Sequence, residues 1–340
     1  MKPKKLTINE IAEMARVSKG TVSKILNNKP GISQDTRRRV MDIVGHLDYF
    51  PNSAAQALAY QRTNNIGLVI PHEAGISLAG SYWSALITAI AQTAAGQNYN
   101  LMLLTPHIEG DLEQVYDSVL RSHKVDGLII GAELVDKRSL SRIVLADLPL
   151  VMVGQNSEFH HYFVDINNHR AAYQMTEHMI ECGKRHPAFI SGPLEYQYNR
   201  ERVQGFTDAL AAKGISGATG AVEAYDTHQI QGEVLRLLRD NPGIDSLFIG
   251  AGGEFMLDVI DQLRRNHINF THFGLAVFDD YPYLNFLNPR LTAVHQPIHE
   301  MGVAATTMLM KLIQNQSLDH PSEIIETHIV VRGSCGEPTT

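Results

Sequence analysis

From Ile66 onward the chain repeats one pattern, a short wholly apolar run followed by an amphipathic stretch. The runs are IGLVIP, NLMLLTP, VDGLIIG, LPLVMVG, HPAFISG, DSLFIGA, HFGLAVF and LTAVHQP. Helical periodicity recurs near 81–96, 111–122, 136–146, 168–182, 199–213, 227–240, 254–265 and 297–315. A strand with no polar face must be covered on both sides. Such strands alternating with helices predict parallel sheets held between helical layers. About 275 residues of this pattern is large for one sheet, so two doubly wound lobes are expected. A ligand cleft is expected where the strand carboxyl ends meet.

The first 62 residues follow other rules. Thr7 with Glu10 makes a capping box, and Ile8, Ile11, Ala12 and Ala15 then line one helical face. Arg16-Val17-Ser18 forms a turn in which Ser18 can cap a second helix. In that helix Val22, Ile25 and Leu26 face inward, leaving Lys19, Gly20, Thr21, Ser23 and Lys24 on or near the outer side. Asn27 to Gly31 is a loop. Ser33 caps a third helix from Gln34 to about Leu47, whose Val40, Ile43, Val44 and Leu47 close a small core. Side chains so polar on so short a helix suit a groove better than a core; a merely solvated helix is the plainer alternative. Three helices with a basic outer face fit a helix-turn-helix. Residues 1–62 hold eleven Lys/Arg against five Asp/Glu, a net +6 that leaves −13 on the remainder of a chain whose total is −7. A basic head on an acidic body points the head at a polyanion.

Tyr49 to Asn52 breaks this unit. Residues 52–60 have helix-forming composition but little apolar beyond Leu58 and Tyr60, so a helix there is marginal without a partner. No apolar run reaches the roughly 18 residues of a membrane span, and the start lacks an apolar signal segment. A cytoplasmic protein is expected, nucleoid-associated when bound to DNA. Cys182 and Cys335 lie far apart without a CxxC, against a disulfide framework or a cysteine-rich zinc site. No GxSxG, kinase signature, HExxH or metal-spaced acid set occurs, so no enzyme, metal or cofactor is expected. GAGGEF lacks the Lys-Ser/Thr of a P-loop, and Pro297 separates His295 from His299.

The runs VSKGTVSKILNNKPGISQDTRRRV, DYFPNSAAQAL and NNIGLVIP, with NPRLTAVHQP and VVRGS near the end, resemble the LacI/GalR family of bacterial transcription regulators. FGLAVFDDYPYLNFLNPRLTAVHQ is most similar, more weakly, to regulators of fructose and sucrose use. The resemblance implies an all-α helix-turn-helix headpiece (1–50), a hinge helix and linker (51–64), and a core (65–340) of two doubly wound parallel-sheet lobes like periplasmic sugar-binding proteins. The N-lobe is expected at about 65–164 and 292–323, the C-lobe at about 165–291 and 324–340. It further implies binding to a pseudo-palindromic double-stranded operator as a homodimer or a pair of dimers. The absence of a leucine-heptad tail favours the dimer.

Residue by residue, the resemblance assigns DNA contact to Thr7, Ser18, Lys19, Gly20, Thr21, Ser23, Lys24, Asn27, Asn52 and Ala55, with Leu58 as a minor-groove wedge. Gly20 departs from the pattern, since it offers the groove no side chain. Gln56 and Ala59 stand where the family usually has basic residues. The effector set is Tyr82, Trp83, Gln155, Asp165, Arg200, Arg202, Gly252 and Asp279. Arg202 in RVQGF suits a hydroxyl, carboxylate or phosphate, and Asp279 in VFDD suits sugar hydroxyls. Tyr82 and Trp83 replace an aromatic pair that stacks on sugars, with core or dimer packing as the alternative. Gly252 and Gly253 stand where many members have Asn-Asp, so a bulkier ligand or a phosphate is a further expectation. The function expected is a sequence-specific repressor controlled by a sugar or sugar phosphate. The rival is a sugar-binding protein or sugar-modifying enzyme with an idle basic head.

Overall fold

The computed structural model describes residues 6–26, 28–49, 62–70, 81–105, 112–131, 137–155 and 161–336. The chain divides into two compact units, Met1–Thr63 and Asn64–Thr340.

The first unit holds α1 (Ile8–Ala15), α2 (Lys19–Leu26) and α3 (Gln34–His46). The capping box at Thr7 forms: the Thr7 N–H donates to Glu10 Oε2 at 2.7 Å, and the Glu10 N–H donates to the Thr7 hydroxyl at 3.4 Å. Arg16 ends α1 at φ 50°, and Ser18 Oγ accepts the Thr21 N–H at 3.1 Å to start α2. Ile11, Ala12, Ala15, Val22, Ile25, Val40 and Tyr49 make the core. Leu47, expected inside, is 38% exposed. It lies just past the end of α3, and a left-handed Asp48 (φ 47°) carries Tyr49 into the core instead.

The second unit contains two six-stranded sheets. In the first, β1 (Asn65–Val69), β2 (Asn100–Leu104), β3 (Gly127–Ile130), β4 (Leu150–Val153), β5 (Phe163–Ile166) and β11 (Ser322–Ile325) run in the order β11-β5-β4-β3-β1-β2, all parallel. In the second, β6 (Pro187–Ser191), β7 (Ala218–Ala221), β8 (Ser246–Ile249), β9 (Gly274–Phe278), β10 (Thr292–His295) and β12 (His328–Val330) run β12-β10-β9-β8-β6-β7, with only β12 antiparallel. Helices α4 (Ser81–Gly96), α5 (Leu112–Ser122), α6 (Lys137–Leu145) and α11 (Ile298–Ile313) accompany the first sheet; α7 (Asn168–Glu181), α8 (Gln197–Lys213), α9 (Thr227–Asp240) and α10 (Gly253–Arg265) accompany the second. The fully buried strands β3, β4, β6, β8 and β9 are the apolar runs of the sequence.

The chain crosses between sheets three times, after Ile166, after His295 and after Ile325. These points correct the expected lobe limits. Thr292 pairs with Ala276 in the second sheet, so β10 leaves the first lobe. Asp165 and Ile166 pair with Ile324 and Ile325 in the first sheet, so that lobe runs past 164 and past 323.

Two contacts set the frame. A Cβ on Gly205 would collide with the His169 carbonyl and reach 3.0 Å from Tyr173 N, so α8 can lie against α7 only with glycine there. Arg332, in the VVRGS run, donates to Asp280 Oδ1 (2.8 Å), Leu291 O (2.7 Å) and Asn285 Oδ1 (2.9 Å), tying the terminal segment to the turn before β10. Cys182 and Cys335 are buried free thiols. Among the described residues no helix is long and apolar enough to cross a membrane.

Candidate functional site

On α2, Lys19, Gly20 and Lys24 are exposed and Thr21 and Ser23 half-buried. Ser18 and Thr21 share a hydroxyl contact of 2.9 Å, so both are already engaged in capping the helix. A Cβ on Gly20 would meet only Ser18 Oγ at 3.7 Å, so packing does not require glycine there. The far end of α2 is held by Arg37, whose place in the TRRRV run gives no sign of that role. Its guanidinium donates to Ile25 O (3.3 Å), Asn28 Oδ1 (2.9 Å) and Lys29 O (2.9 Å). A cation on terminal carbonyls satisfies groups the helix cannot and suits its dipole. Asn27, Asn52, Ala55 and Leu58 lie outside the described residues.

In the second unit, residues at strand carboxyl ends of both sheets gather around Arg202. This side chain is 6% exposed. Its Nε donates to Asn168 Oδ1 at 2.9 Å, Nη1 to Gly250 O at 2.8 Å and Nη2 to Gln296 Oε1 at 3.4 Å. The guanidinium lies 3.6 Å from the Phe278 ring centroid and 4.9 Å from that of Tyr198. Asn168 opens α7 just after the first crossing, and Gln296 stands in the second. Asn168 also reaches Asp165 Oδ1 at 3.5 Å, while the Gln155 N–H after β4 donates to Asp165 Oδ2 at 2.9 Å. A hydrogen-bonded chain thus runs Gln155–Asp165–Asn168–Arg202–Gln296, from one sheet to the other. Burial pushes the Asp165 carboxyl up to about 6, helped by Glu201 and opposed by the Ile166 and Gln155 N–H groups and by Arg202.

Asp279 follows β9 at φ 70°, a left-handed conformation that aspartate tolerates better than most residues. Its Oδ2 accepts from the Tyr281 hydroxyl at 3.2 Å, and Oδ1 has no hydrogen-bond partner among the described residues. Burial raises its carboxyl, against Arg202, the Tyr281 hydroxyl, the Gly252 N–H and His295. Gly252 stands at the start of α10, and a Cβ there would lie 2.8 Å from Asp279 Cβ and 2.8 Å from Tyr281 Cε2. The expectation that Gly252 leaves room for a bulkier ligand is therefore corrected: Asp279 and Tyr281 fill that room.

Not every expected residue joins this group. Arg200 is exposed and donates to Leu194 O (2.7 Å) and Glu195 O (2.6 Å), away from the Arg202 chain. Trp83, 8% exposed, packs where a Cβ on Gly131 would reach 2.6 Å from its ring. Half-buried Tyr82 meets Trp83 edge-on at 5.4 Å and lies near enough to Tyr281 to raise its hydroxyl further. Asn168, three residues after Asp165, and Gln296, inside the LTAVHQP run, carry no signal in the sequence, because a neutral amide announces no role until its partners are known. Among the described residues no group of three His, Cys, Asp or Glu is placed to hold a metal ion.

Residues 63–332 match the family described as periplasmic binding proteins and sugar binding domain of LacI family, and residues 7–52 match bacterial regulatory proteins, lacI family. Similar proteins include the ribose operon repressor of Halalkalibacterium halodurans (27% identical, covering 96% of each chain) and catabolite control protein A of Streptococcus mutans (27%, covering 97% of this chain and 98% of that one). The HTH-type transcriptional regulator CelR of Thermobifida fusca is 28% identical over 96% of this chain and 98% of its own. In fold the chain is similar to the Lac repressor dimer bound to operator and the anti-inducer ONPF (TM-score 0.85, 21% identity, covering 98% of this chain and 100% of that one). It is also similar to the CelR–cellobiose complex (TM-score 0.71, 24% identity, covering 97% and 99%). With a three-helix head at one end and the sugar-binding domain matched over most of its length, the chain belongs to the LacI family of bacterial regulatory proteins.

Proposed function

We propose that this protein is a repressor that binds a pseudo-palindromic operator as a homodimer and is controlled by a carbohydrate held between its lobes. The observation that carries the sensing half is the buried hydrogen-bonded chain through Arg202. A ligand that accepts hydrogen bonds from Arg202 or donates one to Asp165 competes with contacts that join one sheet to the other, and Asp279 stands beside them as a further acceptor. It must therefore favour one lobe arrangement over another by the difference in those contacts. Tyr82, Gln155 and Gly252 border the same group; Trp83 supports it by packing.

The DNA half rests on the head. Lys19 and Lys24 are exposed for phosphates or base edges, with Thr21 and Ser23 beside them. Ser18 and Thr7 orient the helices as caps, Gly20 adds no readout, and Asn27, Asn52 and Ala55 are further contacts. Leu58 acts as the wedge that bends the duplex. The match to regulatory proteins and the relatives' names as repressors support this reading over the rival of an idle basic head.

The test is a titration of labelled operator fragments by the full chain at several salt concentrations, with and without sugars. A steep salt slope with a sequence-specific remainder is expected, and the remainder should change with one sugar. A salt slope with no sequence preference would sink the DNA half. A sequence preference indifferent to every sugar would sink the sensing half.

A further inference from the structure

The second and third crossings between the sheets are joined by a pair of histidines. His295 is the last residue of β10 and His328 the first of β12. They face each other in the antiparallel register Ala293↔Val330, Val294↔Ile329, His295↔His328. This rung is the one nearest the points where the chain passes to and from the other sheet. The two rings lie 4.6 Å apart between centroids, tilted by 32°. The His295 side chain is 36% exposed and His328 is exposed, so protons reach both.

The charged groups around the pair come from four elements. Asp280 Oδ2, just after β9, lies 4.0 Å from His295 Nδ1, while its Oδ1 accepts from Arg332, after β12, at 2.8 Å. Asp279, beside it, is also acted on by His295. On α7, Arg170 pairs with Glu326 at 3.4 Å and His169 with Asp208 at 2.7 Å. His299 and Glu300, at the start of α11, line a separate groove with Lys311. A first proton on His295 is met by the carboxylates after β9. A second, on His328, sets two like charges directly opposite each other on paired strands, which is destabilising. Histidine is the side chain whose charge changes between about pH 5 and 8, so the rung meets that condition as pH falls.

The rung is also joined to the Arg202 chain. Gln296 follows His295 directly, and its Oε1 accepts from Arg202 Nη2 at 3.4 Å. Pro297 comes next and opens α11, so the passage out of β10 rests on these two residues. A hinge is a few such residues that take up large backbone changes between packed bodies. We infer that the His295–His328 rung is a proton-sensitive catch on the hinge between the lobes. With at most one ring charged it holds the two crossings together. With both charged it parts, lengthens the free span of each crossing and loosens the hold of Gln296 on Arg202. The catch depends on this geometry alone, whereas its effect on operator binding rests on the proposed effector reading.

The experiment reads the distance between the lobes in the full chain. Spin labels go on Leu145→Cys, at the end of α6, and Leu235→Cys, on α9, both exposed positions, while Cys182 and Cys335 stay buried. Labelled chain is diluted with unlabelled chain, and pulsed dipolar spectra are compared at about pH 8 and about pH 5. A pH-dependent shift of the distance is expected, and it should be lost in His295→Gln and in His328→Gln. His295→Lys combined with His328→Lys, charged at both pH values, should show the acid distance throughout. His295→Lys combined with His328→Glu, an attracting pair, should show the alkaline distance throughout. No shift in the parent chain overturns the catch, and so does a shift that survives either glutamine substitution. A surviving shift that is lost in Asp165→Asn overturns it in favour of Asp165. The same proteins are then titrated with operator fragments and sugars. A distance that answers to pH while the sugar response does not leaves the catch intact and overturns its tie to the cleft. Failure of every sugar to act overturns the effector reading and leaves the catch standing.

Discussion

At the scale of single residues, Arg202 ties together groups from both sheets, and two predictions follow from its neighbourhood. Arg202→Ala leaves Asn168, Gly250 O and Gln296 without their donor; it should lower unfolding free energy by about 2–3 kcal/mol in a denaturant titration. It should also abolish the response of operator binding to sugar while operator binding itself persists; an intact response would move the effector site elsewhere. Asp165 adds a pH signature. Its folded value, near 6, lies above its ordinary 3.8, so the folded state holds this proton more tightly than the unfolded state does. Stability from this group is therefore present below pH about 4 and is lost as pH rises towards 6, by roughly 2–3 kcal/mol. Asp165→Asn should flatten that part of the stability-against-pH curve; a slope unchanged by the substitution would assign it to other groups.

At the scale of elements, the Gly205 approach between α7 and α8 is the most exacting contact. The side chain of Asn168 on one helix meets that of Arg202 on the other only because the helices lie this close. Gly205→Ala puts a methyl into the His169 carbonyl, so the helices must separate. It should cost about 2–3 kcal/mol and weaken sugar binding with it. Calorimetry showing normal affinity in a destabilised Gly205→Ala protein would uncouple the packing from the site. Elements also show what was legible. The buried strands β3, β4, β6, β8 and β9 announce themselves as apolar runs because both faces are covered. Strands β7, β11 and β12 do not: they are edge strands, partly exposed, and ATGA or SEII reads like a loop. The head was readable almost residue by residue because caps and helical faces are local; Leu47 against Tyr49 is the exception, decided by a turn at Asp48.

At the scale of the whole molecule, two units have different tasks in the proposed function, and a substitution in one should leave the other's task intact. Leu58→Ala should weaken specific operator binding by about 10- to 100-fold and reduce bending of the fragment, while sugar binding to the same protein stays normal. Circular-permutation gel shifts measure the bend; bending unchanged in this variant would remove the wedge role.

By itself the sequence determined the fold class, the basic head with its caps, and the positions of Arg202, Asp165 and Asp279 as candidates. The fold class and the head follow from periodicity, charge and local hydrogen bonding, which depend on residues close in the chain; the three candidates rest on the resemblance to the family. Only the tertiary structure decided where the lobes exchange strands, that Asn168 and Gln296 hold Arg202 from two different crossings, and that Asp279 and Tyr281 take the space beside Gly252. Each of these joins residues distant in sequence. Buried polar groups must find partners wherever the fold brings them, and spacing along the chain does not say which.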